Sequence, residues 1–209
     1  MGRYINAVCR LCRREGEKLF LKGTKCSTEK CPVSRRAFPP GQHGQSRRTK
    51  LSNYGIQLRE KQKVRRMYGV LEKQFRKYFR LASKTKGVTG KVLLQLLERR
   101  LDNVVFRMGL ATSRTAARQI VRHNQIAVNG KRVNIPSFLV NAGNVVQVKT
   151  KDKAALKLKE NLEVTKDRTV PSWLNFNRND LSAVVTRLPE KDDIQLQIQE
   201  QLIVELYSK

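Results

Sequence analysis

Acidic side chains are scarce in this chain: 17 Asp and Glu stand against 44 Lys and Arg in 209 residues, a formal net charge of +27. A free globular protein gains no stability from such a surplus, because like charges repel across its surface, so the partner it calls for is a polyanion. The shortage is uneven. Residues 1–150 hold 34 basic and 7 acidic side chains, a surplus of 27, while residues 151–209 hold 10 of each. The whole excess lies in the first part of the chain, and the neutral tail has other work.

Long apolar runs are missing too, and no stretch of 18 apolar residues offers a spanning helix. The opening MGRYINAVC lacks the apolar core of a signal peptide, and Asn6 stands where the myristoylation pattern wants Ser or Thr. A membrane is therefore not an expected partner, and a reducing cytoplasm is the expected compartment. Groups for catalysis are few. The histidines are His43 and His123, neither in a recognisable pattern with a cysteine or carboxylate. GVTGK is too short for a phosphate loop and follows no strand. Asp102, the sole acid between 101 and 150, reads as the partner of an arginine or a cap rather than a base. Neither an enzyme nor a small-molecule substrate is expected. Aromatics make up 6% of the chain, and those interleaved with charge (Tyr54, Tyr68, Tyr78, Phe79) fall at helical spacing and read as core. That argues against a single-strand binder that works by stacking and favours contact with the backbone and shape of folded RNA.

Cysteine is confined to CRLCRREGEKLFLKGTKCSTEKC, residues 9–31, as Cys9-x2-Cys12, thirteen residues, then Cys26-x4-Cys31. A metal site, two disulfides and a cluster of reactive thiols all fit that count. Structural disulfides are rare in a reducing cytosol. Two close pairs can supply four thiolates to one tetrahedral zinc with no position left for water, a structural rather than a catalytic site. Arg10, Arg13, Arg14, Lys25 and Lys30 favour deprotonated sulfur. With only Leu19, Phe20 and Leu21 as an apolar cluster, the stretch could hardly fold without the ion. A metal-free or iron–sulfur version of the same fold is the alternative.

Beyond the cysteines, RRAFPPGQHGQSRRTK is a loop punctuated by Pro39, Pro40, Gly41 and Gly44 and ringed by Arg35, Arg36, Arg47, Arg48 and Lys50. Helical periodicity follows. Ser52 or Asn53 caps a helix with the charged body REKQKVRR; a second helix sets Leu71, Phe75, Tyr78, Phe79 and Ala82 on one stripe, with Lys73, Arg76, Lys77 and Arg80 elsewhere. A third runs from about Val92 through Leu93, Leu97, Leu101 and Val104. In LATSRTAARQIVRHNQIAVNGKRVNI, Thr112 or Ser113 caps a helix whose Arg114, Arg118 and Arg122 recur every four residues as a basic stripe. His123 and Asn124 end it, and Asn tolerates the left-handed conformation needed there. Asn129-Gly130 is a two-residue hairpin signal, and VVQVK reads as a further strand. A charged helix covers Lys151–Leu162, Pro171 and Trp173 mark a loop, and LSAVVTRL and LIVELY look like strands.

Taken together, MGRY, the four cysteines, PPGQHG, LREKQKVRRMYG, TGKVLLQLLERRLDNVVFRMG, SRTAARQIVRHNQIAVNGKRVN and the ending QLIVELYSK closely resemble the S-four family of bacterial small-subunit ribosomal proteins, in its zinc-containing form. The likeness covers essentially the full length, and Arg99 to about Lys149 is similar to the family's RNA-binding module. The resemblance implies an α+β fold: a zinc-bound arm over 1–46, a helical domain over 47–92 completed by 173–209, and the module over 93–172. It implies a primary binder of small-subunit ribosomal RNA that acts early in assembly of the subunit body. It further implies a place beside the mRNA entry channel, contact with the neighbouring protein S-five, a part in decoding accuracy, and in some members repression of their own operon. By the family pattern one structural Zn2+ falls on Cys9, Cys12, Cys26 and Cys31. RNA contacts fall on the loop around His43, on Arg59, Lys61, Lys63, Arg65 and Arg66, and on Ser113, Arg114, Arg118, Arg122, His123, Asn124 and Lys131. The basic residues of the arm and loop, Arg3, Arg10, Arg13, Arg14, Arg35, Arg36, Arg47, Arg48 and Lys50, join them. Asn124 departs from the glycine common at that turn. The acids Glu190, Glu200 and Glu205 are the expected protein interface, since they would be repelled by phosphate. An RNA-modifying enzyme carrying the same module would need a catalytic domain that 59 tail residues are too few to build. A zinc-bearing DNA regulator would need a recognition helix that the cysteine region lacks.

Overall fold

The computed structural model describes residues 4–46, 50–194 and 197–208, the side chain of Asp152 apart. The chain divides into two compact units, Met1–Gly90 with Gln197–Lys209, and Lys91–Leu196. In chain order the helices are α1 (Cys9–Glu15), α2 (Pro32–Arg35), α3 (Asn53–Met67), α4 (Glu72–Lys84), α5 (Thr89–Glu98), α6 (Leu101–Arg107) and α7 (Arg114–Arg122). Strands β1 (Ile126–Val128), β2 (Lys131–Arg132) and β3 (Val145–Val148) come next, then α8 (Asp152–Val164), β4 (Leu174–Asn177), β5 (Ser182–Val185) and α9 (Glu200–Tyr207).

The first unit is helical. Gly16, left-handed at φ 75°, closes α1 by donating its N–H to the Cys12 carbonyl, and Ser52 caps α3 by accepting from the Gly55 N–H at 3.2 Å. α4 buries Phe75, Tyr78 and Ala82. Tyr68 is buried with them and Phe79 is half-buried, whereas Tyr54 is exposed and belongs to no core. α9 lies on α3: Gln57 Nε2 donates to Glu205 at 2.8 Å, the Gln199 N–H donates to Glu60 at 2.9 Å, and the Tyr207 ring stacks on Phe79 at 4.5 Å. LIVELY is thus helical, not a strand. Its alternation of apolar and polar residues is too short to separate a period of 2 from 3.6, and burial of Ile203 against the helices decides it.

The second unit packs helices on a five-stranded antiparallel sheet of order β2-β1-β3-β5-β4. Its core gathers Leu101, Val104, Val105 and Leu110 from the helical side with Ile126, Val146 and Val185 from the sheet and Trp173 from the turn before β4. Two expectations change here. The helix expected to run from Val92 past Leu101 is broken at Arg99–Arg100, where Arg100 is extended (φ −64°, ψ 135°) and bridges Leu139. And residues 174–185 pair into this sheet rather than completing the helical domain; only the last residues, from Gln197, return to the first unit. The local signals hold: Ser113 caps α7, Asn124 is left-handed at φ 58°, and Asn129 and Gly130 turn the hairpin at φ 49° and 79°.

Candidate nucleic-acid interface and cysteine cluster

Charge on the second unit sorts into buried pairs and an exposed rim. Arg100, fully buried, grips Asp102 with two bonds of 3.0 and 2.7 Å, and Arg118 Nη1 lies 3.4 Å from the same carboxylate. Arg107 meets Glu98 at 3.0 and 2.8 Å, and Asn103 donates to Glu98 at 2.7 Å. Asn103 in turn accepts from Arg114 Nε at 2.8 Å, and the Arg114 guanidinium stands 4.5 Å over the Phe106 ring. The basic stripe of α7 is therefore split. Arg118 is 8% exposed and serves the fold, Arg114 is half-buried, and Arg122 faces solvent. Ser113 is buried as the cap. His123, Asn124 and Lys131 are exposed beyond the end of α7 and on the hairpin. Arg132, beside Lys131 on β2, is exposed too and was missed, although it sits in the same KR pair.

Arg168, from the neutral tail, was also missed. It donates to the carbonyls of Phe106 (3.3 Å), Ala111 (3.1 Å) and Thr112 (3.3 Å), and stands 4.3 Å over the ring that Arg114 shares. Burial first, then the charges of Arg114 and Arg107, pull its guanidinium below the usual range. Nothing in the local sequence marks it, because its partners lie more than 50 residues away.

In the first unit the five α3 cations expected at RNA all have internal acids. Arg59 meets Glu15 at 3.3 Å and Arg66 meets the same carboxylate; Lys63 lies 3.3 Å from both Glu17 and Glu60; Lys61 and Arg65 lie 2.8 and 3.6 Å from Glu72. Lys61 and Lys63 are buried, so their ammonium groups serve these pairs rather than a free face. Burial pushes the Glu15 carboxyl up, opposed chiefly by Arg66 and Arg59. In the arm Arg13 is half-buried, donating to the Phe38 and Pro39 carbonyls at 3.0 and 3.4 Å with its guanidinium 4.8 Å over the Phe38 ring. Arg10, Arg14, Arg35, Arg36, His43 and Lys50 are exposed. Arg3, Arg47 and Arg48 lie outside the described residues. Gly44 has a steric reason to be glycine: a Cβ there would stand 2.0 Å from the Pro39 carbonyl oxygen.

The cysteines share one unit and are all free thiols, with Cys12, Cys26 and Cys31 buried and Cys9 half-buried. The Lys22 N–H donates to Cys26 Sγ at 3.3 Å. Burial pushes the Cys12 thiol up, a backbone hydrogen bond with Leu19 draws it down, and Cys26, Cys9 and Cys31 push it up again by their charge. Among the described residues no group of three or more His, Cys, Asp or Glu side chains is gathered as a metal site, so the zinc expected at these cysteines is an expectation that this arrangement does not by itself support.

Of the three acids expected at a protein interface, Glu190 and Glu205 are exposed, but Glu200 is 7% exposed and packs where a Cβ on Gly90 would strike it. Among the described residues no helix is long and apolar enough to cross a membrane.

A helical unit whose α3 cations are paired internally, and a helix-and-hairpin module with an exposed basic rim, define a protein built to meet a polyanion. The family described as ribosomal protein S4/S9 N-terminal domain matches residues 3–98, and the S4 domain matches residues 99–146. Small ribosomal subunit protein uS4 of Acetivibrio thermocellus is 59% identical over 209 residues, and that of Desulfitobacterium hafniense 60%; each comparison covers the whole of both chains. The uS4A protein of Symbiobacterium thermophilum is 60% identical over the same span. The chain belongs to the uS4 family, ribosomal proteins rather than enzymes, and is on that account a structural constituent of the small ribosomal subunit in the cytoplasm.

Proposed function

We propose that the chain is a primary binder of small-subunit ribosomal RNA that nucleates assembly of the subunit body, with no catalytic step and no small-molecule substrate. The observation that carries this is the division of charge. Six of the seven acids of the first 150 residues pair with internal cations, while Arg122, His123, Asn124, Lys131 and the arm's Arg10, Arg14, Arg35 and Arg36 face outward. Exposed cations beside a helix end and a hairpin suit phosphate and ribose contact on folded RNA. By its resemblance to the family we further propose a position beside the mRNA entry channel, a contact with S-five through the tail, an influence on decoding accuracy and translational autoregulation. Glu190 and Glu205 are exposed where a basic neighbour could reach them, Glu205 while accepting from Gln57 and Glu190 beside Arg187, whereas Glu200 is buried.

We infer that one structural zinc ion is held by Cys9, Cys12, Cys26 and Cys31. Two close pairs of free thiols in one unit, three of them buried, with backbone hydrogen bonds at Cys12 and Cys26, support this. Bound there, the ion would supply a closed four-thiolate node and neutralise sulfurs that otherwise repel one another. The function is tested by competition among deproteinised small-subunit ribosomal RNA, duplex DNA and tRNA for the full-length protein. Ribosomal RNA should win by orders of magnitude at physiological salt; equal binding to all three would defeat the reading.

A further inference from the structure

We propose that the outer face of α4 is a second RNA-contact surface, which grips the phosphate backbone without reading bases. The inference rests on the RNA-binding function proposed above and places a contact on a helix that belongs to neither the hairpin module nor the cysteine arm. Lys73, Arg76, Lys77 and Arg80 are exposed and, with Glu72, line an open hollow of about 680 Å³.

The contrast with α3 carries the argument. Every α3 cation named above has an acid, whereas among the described residues no carboxylate lies within ion-pair distance of these four. Glu72, the one acid in the hollow, is already engaged by Lys61, Arg65 and the Tyr207 hydroxyl at 2.9 Å. The spacing makes matters worse for the isolated helix. Lys73 with Lys77, and Arg76 with Arg80, are like charges four residues apart, and such pairs weaken a helix. α4 stands because its opposite face is buried through Phe75, Tyr78 and Ala82. A stripe that opposes its own helix and is left uncompensated is suited to an anionic partner.

The kind of partner follows from what the face lacks. Phe75 and Tyr78 are buried and Phe79 is held against Tyr207, so no ring on this face is free to stack on a base. Nor does it offer the aromatic anchors that centre a tight protein interface. From Lys73 to Arg80 the helix rises about 10 Å, at about 1.5 Å per residue, enough for cations at successive steps to meet neighbouring phosphates of one strand. Such contacts fix position and add affinity but carry no sequence information.

The test compares the full-length protein with K73Q/R76Q/K77Q/R80Q and with R76K/R80K, binding deproteinised small-subunit ribosomal RNA and random RNA of equal length over a salt series. The slope of log affinity against log salt should flatten by about 3 in the quadruple variant, at about 0.7 to 0.9 per lost contact. The preference for ribosomal over random RNA should not change, and the lysine variant should keep the full slope, since phosphates need only point charges. Should the quadruple variant fail to fold, K73Q/K77Q should flatten the slope by about 1.5. An unchanged slope overturns the proposal, and is the result expected if this face meets an acidic protein instead. Lack of ribosomal preference in the unaltered protein would count against the proposed function, and the slopes on random RNA would still decide this face.

Discussion

Two arginines four residues apart on α7, Arg118 and Arg122, should behave in opposite ways when replaced by glutamine. Arg118 Nη1 is 3.4 Å from Asp102, and Asp102 keeps its two bonds to Arg100 when Arg118 is gone. The carboxylate is therefore not stranded, and the loss at Asp102 is that of one hydrogen bond between charged groups, about 1.5–3 kcal/mol. D102N is harsher, because it removes the carboxylate that both buried guanidiniums meet; breaking such a pair costs about 3–5 kcal/mol. R122Q removes an exposed cation, which should leave stability within about 0.5 kcal/mol but flatten the salt dependence of RNA binding by about 0.7 to 0.9. Trp173 supplies the assay. It is the single tryptophan and is fully buried in the sheet unit, so its fluorescence in urea reports unfolding of that unit. The expected order of unfolding midpoints is wild type and R122Q, then R118Q, then D102N. An R118Q protein that keeps its midpoint yet loses salt dependence would refute the assignment of Arg118 to the fold.

Zinc should co-purify at about one equivalent for four thiolates, and Cys26→Ser should lose it and loosen the arm while leaving the Trp173 signal unchanged; no metal in chelator-free preparations would refute this. Gly90→Ala should destabilise the helical unit by about 1–3 kcal/mol, because the new Cβ would stand 2.5 Å from Glu200 Cγ and 2.9 Å from its Cβ; an unaltered α9, read by amide exchange of residues 200–207, would contradict the packing. The Asp193 carboxyl lies below the usual aspartate range: burial works to raise it, but hydrogen bonds from Arg187, the Glu190 N–H and Ser172 outweigh burial. A depressed value means that its contribution is present above the unfolded pKa of about 3.9 and is lost as pH falls through the lower folded value. D193N should therefore flatten the acid limb of a stability–pH profile, and identical limbs would count against the cluster.

What the sequence revealed of this fold is what short-range physics decides. The Ser113 cap, the left-handed Asn124 and the Asn129-Gly130 turn each depend on a residue's own conformational reach, and each stands where it was read. The break at Arg99–Arg100 has no local cause, neither glycine nor proline; it follows from Arg100 bridging Leu139 and gripping Asp102. β4 is similar, since LNFN becomes a strand only because β5 is there to pair with it.

Charge divides along the same line. Composition told that a polyanion is the partner, but which cations face it depends on where the acids go, and Glu15 reaches α3 across 44 and 51 residues of sequence. Among the described residues, six of the seven acids in the first 150 positions (Glu15, Glu17, Glu60, Glu72, Glu98 and Asp102) lie in internal ion pairs, while the seventh, Glu29, is exposed. Scarcity of acid is thus also a matter of placement. The few carboxylates are assigned to cations that the fold must bury or bridge, and the outward faces of α4, the end of α7 and the hairpin are left positive. An acid added to those faces would cost the protein little stability and should cost it affinity for RNA.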